Sequence, residues 1–218
     1  MDKNQKLLQN AYGLLDLKKK KSFPLFKSSL FLFEISRTRK LLLGLVGLVL
    51  FNLFYFVLFK QVSAVTLITE ISNKINGIII PIFAVIITGY AIFQALANGP
   101  TLIRMVSVKH ESNKTETLSK FAVYNLYFYG LSIFYLFLIV INFFLSITLS
   151  FIDDNWSLIF ISKAQNEIIS SILITIYILV VLNFLIELKS FIFNLFQIFI
   201  TNGVNATTQH LEEENSKN

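Results

Sequence analysis

The sequence predicts an all-α integral membrane protein with four transmembrane helices, N-in/C-in topology, an N-terminal interfacial helical segment and a cytoplasmic extension of the fourth helix. Hydrophobic residues make up 55 % of the 218 residues, and the mean hydropathy is +0.66, above the usual range of soluble domains. The excess is concentrated in charge-free runs, the first at 41–59. Because a hydrocarbon layer of about 30 Å takes roughly 20 helical residues, such runs predict spanning helices.

Four windows have the required length, and they divide the chain into three regions. The predicted transmembrane domain, residues 41–200, is preceded by a basic cytoplasmic or interfacial leader, residues 1–40, and followed by a disordered polar tail, residues 201–218. It ends in an amphipathic extension of the fourth helix, residues 187–200. The predicted spans are about 41–59, 77–97, 129–152 and 168–186.

The leader is predicted to lie at the membrane interface. Leucines at loose helical spacing in residues 1–17 indicate a helix, and Pro24 interrupts the chain before a second apolar stretch at 25–35. The second stretch is too short to cross a bilayer. Both stretches therefore favour short helices that lead into the first span.

A run of four lysines joins these two stretches. Polybasic residues next to aromatic side chains attract anionic lipid headgroups, so we expect the membrane, and not nucleic acid, to be the partner of this run. A plain topology signal is the alternative to headgroup contact. The predicted headgroup contacts are Lys18, Lys19, Lys20 and Lys21.

The distribution of basic residues predicts the orientation. Of the 19 Lys and Arg residues, 16 fall in the leader, in the loop at 98–120 or after residue 186. Short cationic segments stay on the cytoplasmic side, so both termini are expected there. The heavy use of Phe, Ile, Asn and Lys favours a prokaryotic inner (plasma) membrane.

The second predicted helix carries the clearest pattern, a line of small residues and one proline at spacings of four and three. Small residues let helix backbones approach closely, which stabilises helix pairs in lipid. The expected partner of this small-residue seam is either the first helix, with Gly44 and Gly47, or a second copy of the protein. The seam consists of Gly77, Pro81, Ala84, Thr88, Ala91 and Ala95.

The last two predicted helices are longer than a bilayer requires. The run 121–152 contains 32 residues without a charge, about 48 Å of helix at 1.5 Å per residue. Along 187–200, polar residues recur at helical spacing among Phe and Ile. This extension is expected to lie on the inner leaflet, to pack against the start of the third helix, or to line a water-filled path.

Polar residues are few in the spans and are predicted to face the inside of the bundle. An asparagine without a partner in hydrocarbon is costly, so each is expected to hydrogen bond across helices. The roles considered are interhelical contact and a constriction for permeation or gating. No ionisable side chain lies within the four windows, which argues against proton-coupled transport. The predicted intramembrane polar cluster consists of Asn52, Asn142, Asn183 and Glu187.

No catalytic, cofactor or metal site is predicted. His110 and His210 have no second histidine at ligand spacing, and the chain contains no cysteine, so metal and nucleophile chemistry lack the necessary residues. None of the short motifs typical of hydrolases, metalloproteases or nucleotide-binding proteins occurs. We therefore expect a protein that is not an enzyme.

Two functions are expected from these patterns. The first is a non-enzymatic multi-pass membrane protein that acts through helix association, as a homo-oligomer or by docking a membrane partner subunit, such as a membrane effector, an immunity factor or an accessory subunit. The alternative is a channel or transporter component with a polar path lined by residues of the first, third and fourth helices.

Overall fold

The computed structural model describes residues 3–109, 118–154, 156 and 160–215. Over these residues the chain is all-α, which confirms that part of the predicted fold class. The last residues of the predicted tail, 216–218, and His110 lie outside the described residues. The helices are α1 (Lys3–Lys19), α2 (Ser22–Leu30), α3 (Arg37–Asn52), α4 (Ala64–Leu96), α5 (Gly99–Ser107), α6 (Lys120–Ser150) and α7 (Lys163–Asn215).

Four helical segments are long and apolar enough to cross a membrane, as the sequence predicts. Each contains most or all of one predicted window and extends beyond it at one end or both. Their length and composition are those of an integral membrane protein. The four segments are Arg37–Lys60, Ala64–Leu96, Lys120–Ser150 and Lys163–Asn215.

The first span is one continuous path with a change of helix type. Ser36 caps α3 by accepting a hydrogen bond from the backbone N–H of Arg39 at 3.2 Å. After Asn52 the chain forms a π-helical turn at Leu53–Val57 and a 3₁₀ turn at Leu58–Lys60. The Asn52 amide donates to the Leu48 carbonyl at 2.7 Å. A side-chain bond of this kind perturbs the regular helical ladder, and it occurs where α3 widens.

Helix α4 begins 13 residues before the predicted window. Ser63 caps it, since the backbone N–H of Thr66 donates to the Ser63 hydroxyl at 3.1 Å. Glu70 and Lys74 interrupt the apolar run, so a search for charge-free windows does not detect this first part of the helix. Pro81 consequently lies in the interior of α4 and not in its first turns, so the Gly77 carbonyl has no N–H partner four residues on.

Helix α7 extends through most of the predicted polar tail. It has 53 residues, about 80 Å at 1.5 Å per residue, and the tail predicted to be disordered is instead helical as far as Asn215. Pairs four residues apart stabilise this end: Gln209 contacts Glu213 at 3.1 Å, and His210 lies 3.8 Å from Glu214. The apolar helix therefore continues through the polar residues that follow it.

The chain forms two compact units, and α4, α6 and α7 each contribute to both. The first unit comprises Met1–Glu34, Phe83–Phe134 and Lys189–Asn218. The second unit comprises Ile35–Ile82 and Tyr135–Leu188.

Aromatic packing forms the core of the first unit. The ring centroid of Phe128 lies 5.1 Å from that of Phe93 on α4 and 5.4 Å from that of Phe191 on α7, and all three side chains are fully buried. Such tilted and edge-on pairs stabilise helix contacts beyond their apolar area. Of the three arrangements expected for the α7 extension, the structure has packing against the start of α6.

The leader also packs against protein in the first unit. The buried Asn10 amide of α1 donates to the Val106 carbonyl of α5 at 2.8 Å. Ser29 of α2 contacts Gly130 of α6, where any Cβ would collide with the serine side chain. The leader is therefore anchored to α5 and α6, whereas the sequence predicted only that it lies at the interface.

The second unit has an aliphatic and aromatic core at the end of the first span. Phe54 and Phe59 pack with Leu67 of α4 and Ile174 of α7. Gly47 of α3 lies against Leu179 of α7, whose Cδ1 would be 2.9 Å from a Cβ at this position. The close approach at Gly47 therefore pairs α3 with α7.

The packing at Gly89 predicts a stability difference between two glycine substitutions. A Cβ at Gly89 would collide with the Phe191 ring and lie 2.9 Å from Leu195 Cδ1, whereas a Cβ at Gly44 would meet nothing within 4 Å. Gly89→Ala should therefore lower the free energy of unfolding by about 1–3 kcal/mol. Gly44→Ala should leave it unchanged or raise it by up to about 1 kcal/mol.

Both values are measurable by reversible unfolding of the full chain in mixed detergent micelles. Equal effects of Gly89→Ala and Gly44→Ala would contradict the contact between α4 and α7.

Candidate functional site

The predicted intramembrane polar cluster divides into separate sites. Asn142 of α6 is fully buried in the second unit, and its Oδ1 accepts a hydrogen bond from the Tyr177 hydroxyl of α7 at 2.5 Å. Among the described residues its Nδ2 has no partner. This contact holds α6 to α7, in agreement with the interhelical role.

Asn52 does not take part in such a contact. It is exposed, and its amide is bonded to its own helix at Leu48. The prediction that Asn52 faces the asparagines of other helices is therefore wrong. The physical reason is that a helix carbonyl one turn away satisfies an asparagine amide as well as a neighbouring helix does.

Asn183 and Glu187 lie together, and both contact Arg39. One guanidinium nitrogen of Arg39 donates to Glu187 Oε2 at 2.6 Å, and the other donates to the Asn183 backbone carbonyl. The Arg39 side chain is 13 % exposed and the Glu187 side chain 8 %. The Tyr135 hydroxyl bonds the Phe184 carbonyl at 3.1 Å, one turn from Glu187. α3, α6 and α7 thus meet at one polar site of the second unit.

This ion pair lies just outside the predicted windows 41–59 and 168–186, so the windows themselves remain without an ionisable side chain. Both Arg39 and Glu187 belong to helical segments of spanning length. Removing two charges from water is costly, and the pair balances this cost only when geometry and additional hydrogen bonds are good. The second guanidinium bond, to the Asn183 carbonyl, supplies such a contact between α3 and α7, while the buried Arg39 Nε has no partner among the described residues.

Sequence reasoning assigned Arg39 only to the basic leader and so missed its role. The available signal was Glu187, a carboxylate at the edge of an apolar run that requires a cationic partner. Arg39 adjoins the first span, but ten basic residues in the leader made it one candidate among many. Only the register of α3 against α7 identifies it.

The small-residue seam of α4 lies on the outside of the chain. All six seam residues are exposed, whereas Ile79, Ile86 and Phe93, seven residues apart on the opposite face of α4, are buried. The seam therefore does not pack against α3. Gly47 packs against Leu179 of α7 instead, and nothing within 4 Å faces Gly44, so the expected pairing with the first helix is wrong.

The four leader lysines are also exposed. Lys18 and Lys19 end α1, and Lys21 directly precedes α2. Lys19 forms an exposed pair with Asp16 at 3.3 Å. The ammonium groups are accessible at the junction of the two leader helices, as headgroup contact requires.

Comparison of the chain with family models, with curated proteins and with solved structures finds no match.

The buried ion pair predicts a large asymmetry between single and double substitutions. Glu187→Gln leaves Arg39 charged and buried, so it should lower the free energy of unfolding by about 3–5 kcal/mol. The double variant Arg39→Met, Glu187→Met should recover most of this loss, because neither charge remains unpaired.

Asp16→Asn provides the control, since the Asp16–Lys19 pair is 73 % and 78 % exposed and should contribute at most about 1 kcal/mol. Unfolding in mixed micelles measures all three variants. A Glu187→Gln effect no larger than that of Asp16→Asn would contradict the buried pair.

Proposed function

We propose that this chain is a non-enzymatic multi-pass membrane protein that acts through association of α4 with a second membrane helix. The observation that carries the proposal is the small-residue seam on the exposed face of α4. An outward face of this kind, on a helix of spanning length, is suited to contact with another helix.

The physics of lipid supports this role for small residues. Apolar side chains are solvated by lipid as well as by protein, so helices associate through close packing, hydrogen bonds and lipid entropy. Exposed faces elsewhere carry large side chains, such as Phe137 on α6 and Leu173 on α7. Ala84, Thr88 and Ala91 instead leave the α4 backbone open to close approach, which a second helix exploits better than disordered acyl chains.

The occupant we favour is a second copy of the chain. A line of small residues at alternating spacings of three and four is self-complementary, because two such helices bring their backbones together along the same face. The Thr88 hydroxyl is already bonded to the Ala84 carbonyl at 2.9 Å. It thus meets the partner helix without an unsatisfied donor.

A channel or transporter component has weaker support. The polar residues that would line its path are engaged within the chain or point elsewhere: Asn142 bonds Tyr177, and Asn52 bonds its own helix. Glu187 is paired with Arg39. Opening a path along these residues would require these contacts to break.

The proposed location is a prokaryotic inner membrane with both termini in the cytoplasm, as the positive-inside rule predicts. In this orientation the exposed Lys18–Lys21 run faces the anionic inner leaflet. Headgroup contact by these lysines is compatible with the proposed association of α4, which does not depend on it.

The absence of cysteine gives a clean test of the association. Thr88→Cys should form a disulfide-linked dimer of the full chain when native membranes are oxidised, because the seam brings the two Cα atoms close. Ile87→Cys is the matched control, since Ile87 is also exposed on α4 but lies about 100° from Thr88 around the helix.

Crosslinking of Thr88→Cys to itself but not of Ile87→Cys is the expected result. Crosslinking to a different membrane protein would assign the face to a partner subunit instead of a second copy. Equal crosslinking at both positions, or none at Thr88→Cys, would contradict association through the seam.

A further inference from the structure

A cavity of the first unit has the chemistry of an anion site. It lies among α5, α6 and α7, has a volume of about 320 Å³, and its lining includes Arg104 of α5 and Lys120 of α6. Two cationic side chains thus share one cavity. No Asp or Glu is among the lining residues that the structure describes.

A chain of hydrogen bonds fixes the position of Arg104. Its Nη1 donates to Asn205 Oδ1 at 2.9 Å. Asn205 Nδ2 donates to the Thr101 hydroxyl at 3.2 Å, and that hydroxyl donates to Asn202 Oδ1 at 3.0 Å. Thr101 is buried, and these hydrogen bonds connect α5 to α7. Sequence patterns do not predict this contact, because the polar composition after residue 200 indicates disorder.

Neither cation has an acidic partner among the described residues. The ion pairs seen among the described residues include those of Lys19, Arg39, Lys60 and His210, and Arg104 and Lys120 take part in none of these. One guanidinium nitrogen of Arg104 is used by Asn205, which leaves the remaining N–H donors of its planar fork for a ligand. An anion in the cavity would be attracted by both charges and bound by the fork.

The remaining lining residues indicate an amphipathic ligand. Gln197 and Tyr124 carry polar groups suited to hydrogen bonds with phosphate or glycerol oxygens, while Ile198 and Val204 supply an apolar wall. Lys120 directly precedes the charge-free run 121–152, which places the cavity at the level where hydrocarbon ends. Basic pockets at this level between membrane helices bind anionic headgroups.

We propose that this cavity binds the phosphate group of an anionic glycerophospholipid, with Arg104 and Lys120 as the charged contacts. Arg104 suits bidentate contact with two phosphate oxygens, and Lys120 acts as a point charge. Asn205 is a positioning residue, since it orients the guanidinium. This site is separate from the leader lysines, which are not among the residues that line the cavity.

Native mass spectrometry of the delipidated full chain, with Lys18–Lys21 changed to Gln to remove the leader contribution, tests the site. Phosphatidylglycerol should bind as one saturable molecule and phosphatidylcholine should not. Arg104→Gln and Lys120→Gln should each weaken phosphatidylglycerol binding by about fivefold, equivalent to about 1 kcal/mol per basic residue.

Arg104→Lys should bind with intermediate affinity, because it keeps the charge and loses the fork. The matched control is Lys189→Gln, an exposed cation of α7 outside the cavity lining, which should bind as the background protein does. Because Arg104 and Lys120 are exposed, the variants should unfold at the same temperature as the background.

Three outcomes would overturn the proposal. In the first, phosphatidylcholine binds as tightly as phosphatidylglycerol. In the second, Lys189→Gln weakens phosphatidylglycerol binding as much as Arg104→Gln does. In the third, inorganic phosphate displaces the lipid and its binding depends on Arg104 to the same extent. The last result would assign the site to free phosphate. The disulfide test of α4 is independent of all three.

Discussion

In hydrocarbon, a helix gains little by exchanging lipid contacts for apolar protein contacts, and this constraint determines the rest of the structure. Helices must then be held by polar pairs and by close fit. The described contacts follow this division. Arg39 and Glu187 hold α3 to α7, and Asn142 and Tyr177 hold α6 to α7. In the first unit, the Asn125 side chain of α6 accepts hydrogen bonds from Tyr90 and Gln94 of α4 at 3.1 and 2.5 Å.

Close packing at glycines is the second kind of contact between the helices. Gly47, Gly89 and Gly130 each lie where a Cβ would contact a side chain of another helix. Together with the tilted ring pair of Phe93 and Phe128, these glycines occupy the inward faces. The small residues of the α4 seam have the same chemistry but face outward. This difference between inward glycines and an outward seam is the basis of the functional proposal.

Hydropathy and length were sufficient to predict the fold class and the four long apolar helices, because both depend on composition alone. They failed at helix ends. Glu70 and Lys74 hid the first turns of α4, and the polar residues after Thr201 hid the end of α7, since a helix already formed extends at low cost through polar sequence.

The candidate sites were harder to predict, because they depend on register between helices distant in sequence. The spacing of small residues predicts the seam, yet a pattern read from one helix cannot show whether its face points inward. Of the polar cluster, Asn183 and Glu187 meet at Arg39, while Asn142 bonds Tyr177 and Asn52 bonds its own helix. The sequence identifies polar side chains that need partners, but the partner of each is determined by how the helices pack.

Helix α4 has an inward face packed within the chain, and we propose that its outward face contacts a second copy. Oxygen accessibility of a nitroxide label, placed by cysteine substitution in this cysteine-free chain, tests both faces. In nanodiscs holding one copy, a label at Thr88 should be as accessible to oxygen as lipid-facing positions, and a label at Ile86 should be shielded. In vesicles holding many copies, accessibility at Thr88 should fall while Ile86 is unchanged. Shielding at Thr88 in the single-copy discs, or no change with copy number, would show that this face of α4 does not contact a second copy.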